Sequence, residues 1–138
     1  MKAFDYISHT ADIRMRIRAD SSPALFEAAL EGMSQIIKAD ACKNPPFFTL
    51  TIPINLRSKN ITTLLIEFLG EVLTHSHLHN AIFCKLQIKI LNDHFISALI
   101  FGFPEEKIDE DIKAVTYHEA DVKLNQDKQL ETIIVFDI

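Results

Sequence analysis

The sequence predicts an α+β protein, two helices packed on a mostly antiparallel or mixed β-sheet, in a single domain over residues 1–138. Three observations carry that expectation. Hydrophobic spacing runs strand, helix, strand, helix and then turns into a succession of strands. Apolar residues make up 48% of the chain and charged ones 24%, with only 3 Gly and 5 Pro, which excludes disordered and low-complexity chains. A chain of 138 residues is also one ordinary domain, able to bury roughly 68% of the surface its unfolded form exposes.

Each element has a local reason. A short strand is expected over residues 3–7, followed by a strong one over 13–19, where Ile13, Met15, Ile17 and Ala19 alternate with Arg14, Arg16, Arg18 and Asp20. Ser22 and Pro23 supply an N-cap and a first-turn proline to a helix over about 23–38, whose Leu25, Phe26, Ala29, Leu30, Met33, Ile36 and Ile37 make one stripe. Residues 40–46 connect it to a strand carrying Phe48, Leu50, Ile52, Ile54 and Leu56. Pro53 has no amide hydrogen, so that strand belongs at an edge or a bulge. Ser58 or Asn60 caps a second helix with Leu64, Leu65, Phe68, Leu69, Val72 and Leu73 on one side, ending near His75 or His77. Strands from Phe83 and over 95–103 form a hairpin around Asn92-Asp93. An acidic loop over 104–111, a strand-like stretch over 114–124, a turn over 125–128 and a last strand over 130–136 complete the order.

Composition narrows the function. Fourteen basic against nineteen acidic side chains leave a net charge of −5, so bulk charge does not make this a general phosphate binder. Any contact with RNA must be local or indirect. Cys42 and Cys84 are far apart and lack a CxxC spacing, so they are expected as free thiols of a reducing compartment. The start of the chain has no apolar signal region, and no apolar run reaches the ~20 residues of a membrane span. A soluble, cytoplasmic protein without membrane contact is the expectation.

Several groups could carry chemistry. Asp12, in Ser8-His9-Thr10-Ala11-Asp12, either bonds backbone amides in a turn or serves as a metal ligand. Asp137 and the α-carboxylate of Ile138 either fray into solvent or, as neighbouring like charges, share a cation that relieves their repulsion. Hard oxygen donors favour Ca²⁺, Mg²⁺ or Mn²⁺ over Zn²⁺. Lys113 opens a strand that continues to Thr116, Tyr117 and His118, where it could recognise phosphate; alternation separates Tyr117 from His118. His75-x-His77-x-His79 imitates a zinc motif, but on a helix only His75 and His79 share a face. Arg14, Arg16 and Arg18 form a cationic stripe that either meets a partner or pairs with acids of neighbouring strands. No P-loop, GxGxxG, GxSxG, HExxH or RNP-type sequence supports nucleotide hydrolysis, hydride transfer or nucleophilic hydrolysis.

Taken together, His9-Thr10-Ala11-Asp12, Leu64-Leu65-Ile66-Glu67-Phe68-Leu69, Lys113-Ala114-Val115-Thr116-Tyr117-His118 and Phe136-Asp137-Ile138 resemble the archease family over the whole chain and in the family's order. The resemblance implies a non-catalytic protein cofactor of the tRNA-splicing RNA ligase, which joins 2′,3′-cyclic phosphate or 3′-phosphate ends to 5′-hydroxyl RNA ends. It implies promotion of that ligase's guanylylation by GTP and of multiple turnover, with RNA reached through the ligase. It maps a metal site onto Asp12, Asp137 and the Ile138 carboxylate, with Ca²⁺ expected first and Mg²⁺ or Mn²⁺ as alternatives, and a functional lysine onto Lys113. Ser8 stands where many relatives carry an acidic residue, and Phe68 and Gly70 where they often carry Trp and Asn. The competing expectations are a stand-alone metal-dependent phosphoesterase built on Asp12, Asp137 and His118, and a protein- or RNA-binding chaperone acting through Arg14, Arg16 and Arg18.

Overall fold

The computed structural model of the chain describes residues 1–7 and 12–138. Its elements are β1 (Lys2–Ile7), β2 (Asp12–Ala19), α1 (Ser22–Ile37), β3 (Leu50–Arg57), α2 (Ile61–His79), β4 (Ala81–Leu91), β5 (Phe95–Pro104), β6 (Ala114–Thr116), β7 (Lys123–Leu124) and β8 (Leu130–Asp137). The expected α+β architecture is present, with two sheets among the described residues. One has the order β1-β2-β8-β6 with β7 also on β8; the other has the order β3-β5-β4. All the ladders are antiparallel.

Period-two patterning fixes which side of each strand is buried. In β2, Met15, Ile17 and Ala19 are fully buried and face Ile134, Thr132 and Leu130 of β8, while Arg14, Arg16 and Arg18 take the other face. Both helices touch both sheets: α1 lies on β1, β2, β8 and β4, and α2 on β6, β3, β4 and β5. The buried cluster is continuous through both helices and both sheets. Phe26 of α1 meets Phe68 of α2 with ring centroids 5.3 Å apart, and neither ring is exposed. Phe68 therefore belongs to the core and bears on helix packing, not on a docking surface. A Cβ at Gly70 would meet nothing within 4 Å.

The cap of α1 differs from expectation by a residue, and that of α2 is one of the two expected. Ser21, not Ser22, accepts from the Ala24 amide at the start of α1, because Pro23 then falls inside the first turn. Asn60 caps α2 through the Thr63 amide at 2.9 Å. That helix continues past His77 to His79, where Asn80 closes it in the left-handed region at φ 47°. Pro53 lies on the edge strand β3, as its missing donor requires.

Two expectations are corrected. Residues 114–124 do not form one strand: the ladder stops at Thr116, and the chain turns through Glu119 at φ 65° before the short β7. Side chains hold this detour, with the Asp121 amide donating to Thr132 Oγ1 and the Val122 amide to Thr62 Oγ1. Cys42 and Cys84 are not free thiols; they form a disulfide with Cα atoms 5.5 Å apart. Cys84 lies where the β4–β5 register slips between Phe83 and Lys85, and this irregularity meets the turn after α1. The case for a reducing compartment made from free thiols loses its basis. Separately, no helix among the described residues is long and apolar enough to cross a membrane.

Candidate functional site

Antiparallel pairing of the first and last long strands builds the site. In the β2–β8 ladder Asp12 stands directly opposite Asp137, and in the β6–β8 ladder Ala114 stands opposite Asp137 on its other flank. Directly opposed residues share a face with Cβ atoms about 5 Å apart. Asp12 and Asp137 therefore stand side by side at the rim of the five-stranded sheet, next to the small side chain of Ala114. Asp12 is half-buried and Asp137 exposed. The Lys113 amide donates to the Asp137 carbonyl at 2.7 Å, which holds the exposed Lys113 one residue ahead of β6. Ile138, which follows Asp137, is partly buried and packs against the core cluster. Ser8, His9, Thr10 and Ala11 lie outside the described residues.

A hollow of about 410 Å³ opens beside Asp12, bordered by Tyr6, Gln35, Asp109 and Glu110. The acidic loop reaches it because the Asp109 and Glu110 amides both donate to the carbonyl of Ile37 at the end of α1, while Asp109 Oδ2 accepts from the Ala39 amide at 2.9 Å. Sequence reasoning noticed the acidic run without placing it, since only this long-range tether brings it near Asp12. Tyr6 donates to the Gly32 carbonyl at 2.8 Å, and burial pushes its phenol up to about 12. It stays a neutral donor at physiological pH.

The neighbouring arginine stripe is partly exposed and finds acidic partners within the fold. Arg14 grips Glu119 with two hydrogen bonds, Nε to Oε2 at 2.8 Å and Nη2 to Oε1 at 2.7 Å. That contact, with a smaller influence from Asp12, holds its guanidinium charged more firmly than usual. Arg16 lies 3.3 Å and Arg18 4.0 Å from Asp5. The stripe thus pairs with acids of β1 and of the turn after β6, the plainer of the two readings.

The remaining candidates separate. His75 and His79 stack at 5.8 Å on one side of α2, whereas His77 Nε2 lies 3.4 Å from Asp111, so the three do not converge. Tyr117 is more than half exposed and its hydroxyl reaches Glu67 Oε1 at 3.4 Å; desolvation and the Glu67 charge raise its pKa. His118 donates its backbone amide to Thr116 Oγ1 at 3.3 Å. Among the described residues no three His, Cys, Asp or Glu side chains gather closely enough to hold a metal unaided. The donor chemistry at the rim nevertheless fits a hard cation, since like charges directly opposite in a ladder repel and a shared cation removes that cost.

Two antiparallel sheets joined through a pair of helices, with carboxylates from both ends of the chain at one rim, define an α+β class of small protein. The chain belongs to the archease protein family (MTH1598/TM1083), whose model matches residues 4–138. Among its relatives, the protein archease of Methanosarcina mazei is 28% identical over 131 residues, covering 88% of this chain and 87% of its own. That of Pyrococcus abyssi is 26% identical, with the whole of both chains covered. The solution structure of Methanobacterium thermoautotrophicum protein 1598 superposes with a TM-score of 0.71 at 20% identity, over 98% of each chain. The crystal structure of an archease described as a possible chaperone, from Thermotoga maritima, gives 0.66 at 20% identity, over 96% of this chain and 94% of that one. These likenesses agree with the fold described above.

Proposed function

We propose that this chain is a non-catalytic protein cofactor that activates an RNA ligase of the tRNA-splicing and RNA-repair type, promoting its guanylylation by GTP and its repeated turnover. Family membership supports the class of protein, and one structural observation supports the site: the opposition of Asp12 and Asp137. These two side chains and the Ile138 carboxylate would hold a divalent cation, Ca²⁺ first and Mg²⁺ or Mn²⁺ as alternatives. Three anionic donors leave much of a Ca²⁺ shell, which takes 6–8 oxygens, to water or a partner. Bound there, the ion supplies positive charge and open coordination positions at an otherwise anionic rim. Lys113, tethered to the Asp137 carbonyl, presents an exposed ammonium beside that rim to a phosphate or a partner carboxylate.

The deciding experiment incubates catalytic amounts of the ligase with excess RNA ends, GTP and divalent metal, with and without this protein. Multiple turnovers only in its presence are expected, and Asp12→Asn, Asp137→Asn or amidation of Ile138 should abolish the stimulation at limiting metal. Phosphate release by this protein alone would replace the proposal with a phosphoesterase. Stimulation untouched by all three changes would remove the metal site.

A further inference from the structure

The outer face of the three-stranded sheet carries a second kind of chemistry, unrelated to the carboxylate rim. Both helices cover its inner face, where Ile54, Ile96 and Ile100 are buried. The opposite set on the central strand, Phe95, Leu99 and Phe101, remains half-exposed. Each of the two rings has a cation over it from a flanking strand: Arg57 lies 4.8 Å from the Phe95 centroid and Lys85 5.3 Å from that of Phe101. The register makes both arrangements cross-strand pairs, Arg57 opposite Phe95 and Lys85 opposite Phe101. In a chain of net charge −5, these three strands contain no Asp or Glu, and their charged residues are Arg57, Lys85 and Lys89.

We propose that this face binds single-stranded nucleic acid, with bases stacked on Phe95 and Phe101 and phosphates paired with Arg57 and Lys85. Exposed rings beside cations, with no acid among the strands, match a ligand that alternates flat apolar groups with negative charge. An acidic protein surface would leave the rings without a role, and an apolar one would bury the cations unpaired. A duplex keeps its bases inside and offers none to stack. Phe95 and Phe101 are six residues apart on one strand, roughly 20 Å, so a segment of several nucleotides is needed to span them. Such binding is the local contact with RNA that the overall acidity leaves open, and it does not depend on the metal reading.

Fluorescence anisotropy of a labelled oligouridylate with the intact protein tests this directly. Saturable binding is expected at low salt, weakening as salt rises by about 0.7 in log K per log salt for each phosphate contacted. Arg57→Ala with Lys85→Ala should lower affinity on the order of tenfold and flatten that slope by about 1.4. Phe101→Leu should lower affinity by about tenfold with little change of slope, because stacking is uncharged. Lys123→Ala, on the other sheet, and Asp12→Asn should leave binding unchanged. The two cations are exposed, so their variants carry the test even if Phe101→Leu fails to fold. Absence of saturable binding, equal affinity for duplex RNA, or binding indifferent to the face variants would overturn the proposal. If those variants abolish ligase stimulation while the free protein binds no oligonucleotide, the face is a protein contact instead.

Discussion

Asp12 and Asp137 repel each other across a ladder that must nonetheless pair for β2 to meet β8. On the proposed metal reading, Asp12→Asn should erase the stabilisation expected from Ca²⁺, about 2.7 kcal/mol at a hundredfold excess over Kd. Calorimetry with and without Ca²⁺ reads the effect. Lys38 holds the Glu105 carboxyl below its ordinary value of 4.5 through a 2.9 Å contact, so the folded state binds that proton more weakly than the unfolded chain does. The resulting stability is fully present above the ordinary carboxylate range and is lost as pH falls through the lowered value. The N-terminal ammonium lowers Asp20 in the same sense, and Gln35 with Lys43 lowers Asp40. Urea midpoints at neutral and strongly acid pH should show Glu105→Gln narrowing the difference between them. Arg14 and Glu119 show what single residues conceal: the arginine stripe was plain in the sequence, but its best partner lies 105 positions away.

Within elements, glycine has opposite meanings in the second helix and the second sheet. Gly70 sits inside α2 with open space where a side chain would go, so Gly70→Ala should stabilise by about 0.5–1 kcal/mol. Gly102 pairs with Phe83 at the start of the β4 irregularity, and a Cβ there would lie 2.2 Å from the Ile82 carbonyl oxygen. Backbone cannot swing aside, so Gly102→Ala should cost about 3 kcal/mol; thermal melts of the two variants should move in opposite directions. Helices and long strands were legible because their periodicity and caps are local, and Pro53 marked its own edge position. The stretch over 114–124 was misread because its polar alternation resembles a strand, while the side-chain bonds to Thr62 and Thr132 that pull it off the ladder come from other elements.

For the molecule as a whole, the Cys42–Cys84 bond fastens the turn after α1 to the three-stranded sheet across a sequence separation of 42. Closing a loop of that size restricts the unfolded chain by about 4 kcal/mol in the chain-entropy model. Reduction, or Cys42→Ser with Cys84→Ser, should lower the melting temperature, and a reductant should have no further effect on the double variant. No spacing rule could have indicated this bond, since the cysteines are 42 residues apart and meet only where the end of α1 packs against β4. The division into two sheets was equally hidden, because strand patterns say which side is buried and not which strand is the neighbour. The Phe95–Phe101 face is not legible in the sequence for the same reason: its cations arrive from β3 and β4, and only the register sets them over the rings.

Hydrophobic period, capping residues and turn chemistry by themselves determined the class of fold, the order of nearly all its elements and, through four short motifs, the family. Tertiary structure decided which distant residues became neighbours. It set Asp12 against Asp137, bonded Cys42 to Cys84, matched Arg14 with Glu119 and brought Asp109 and Glu110 to the hollow beside Asp12. The physical reason is one of range: backbone preference and side-chain spacing act over a few residues, whereas strand pairing depends on how the whole core closes.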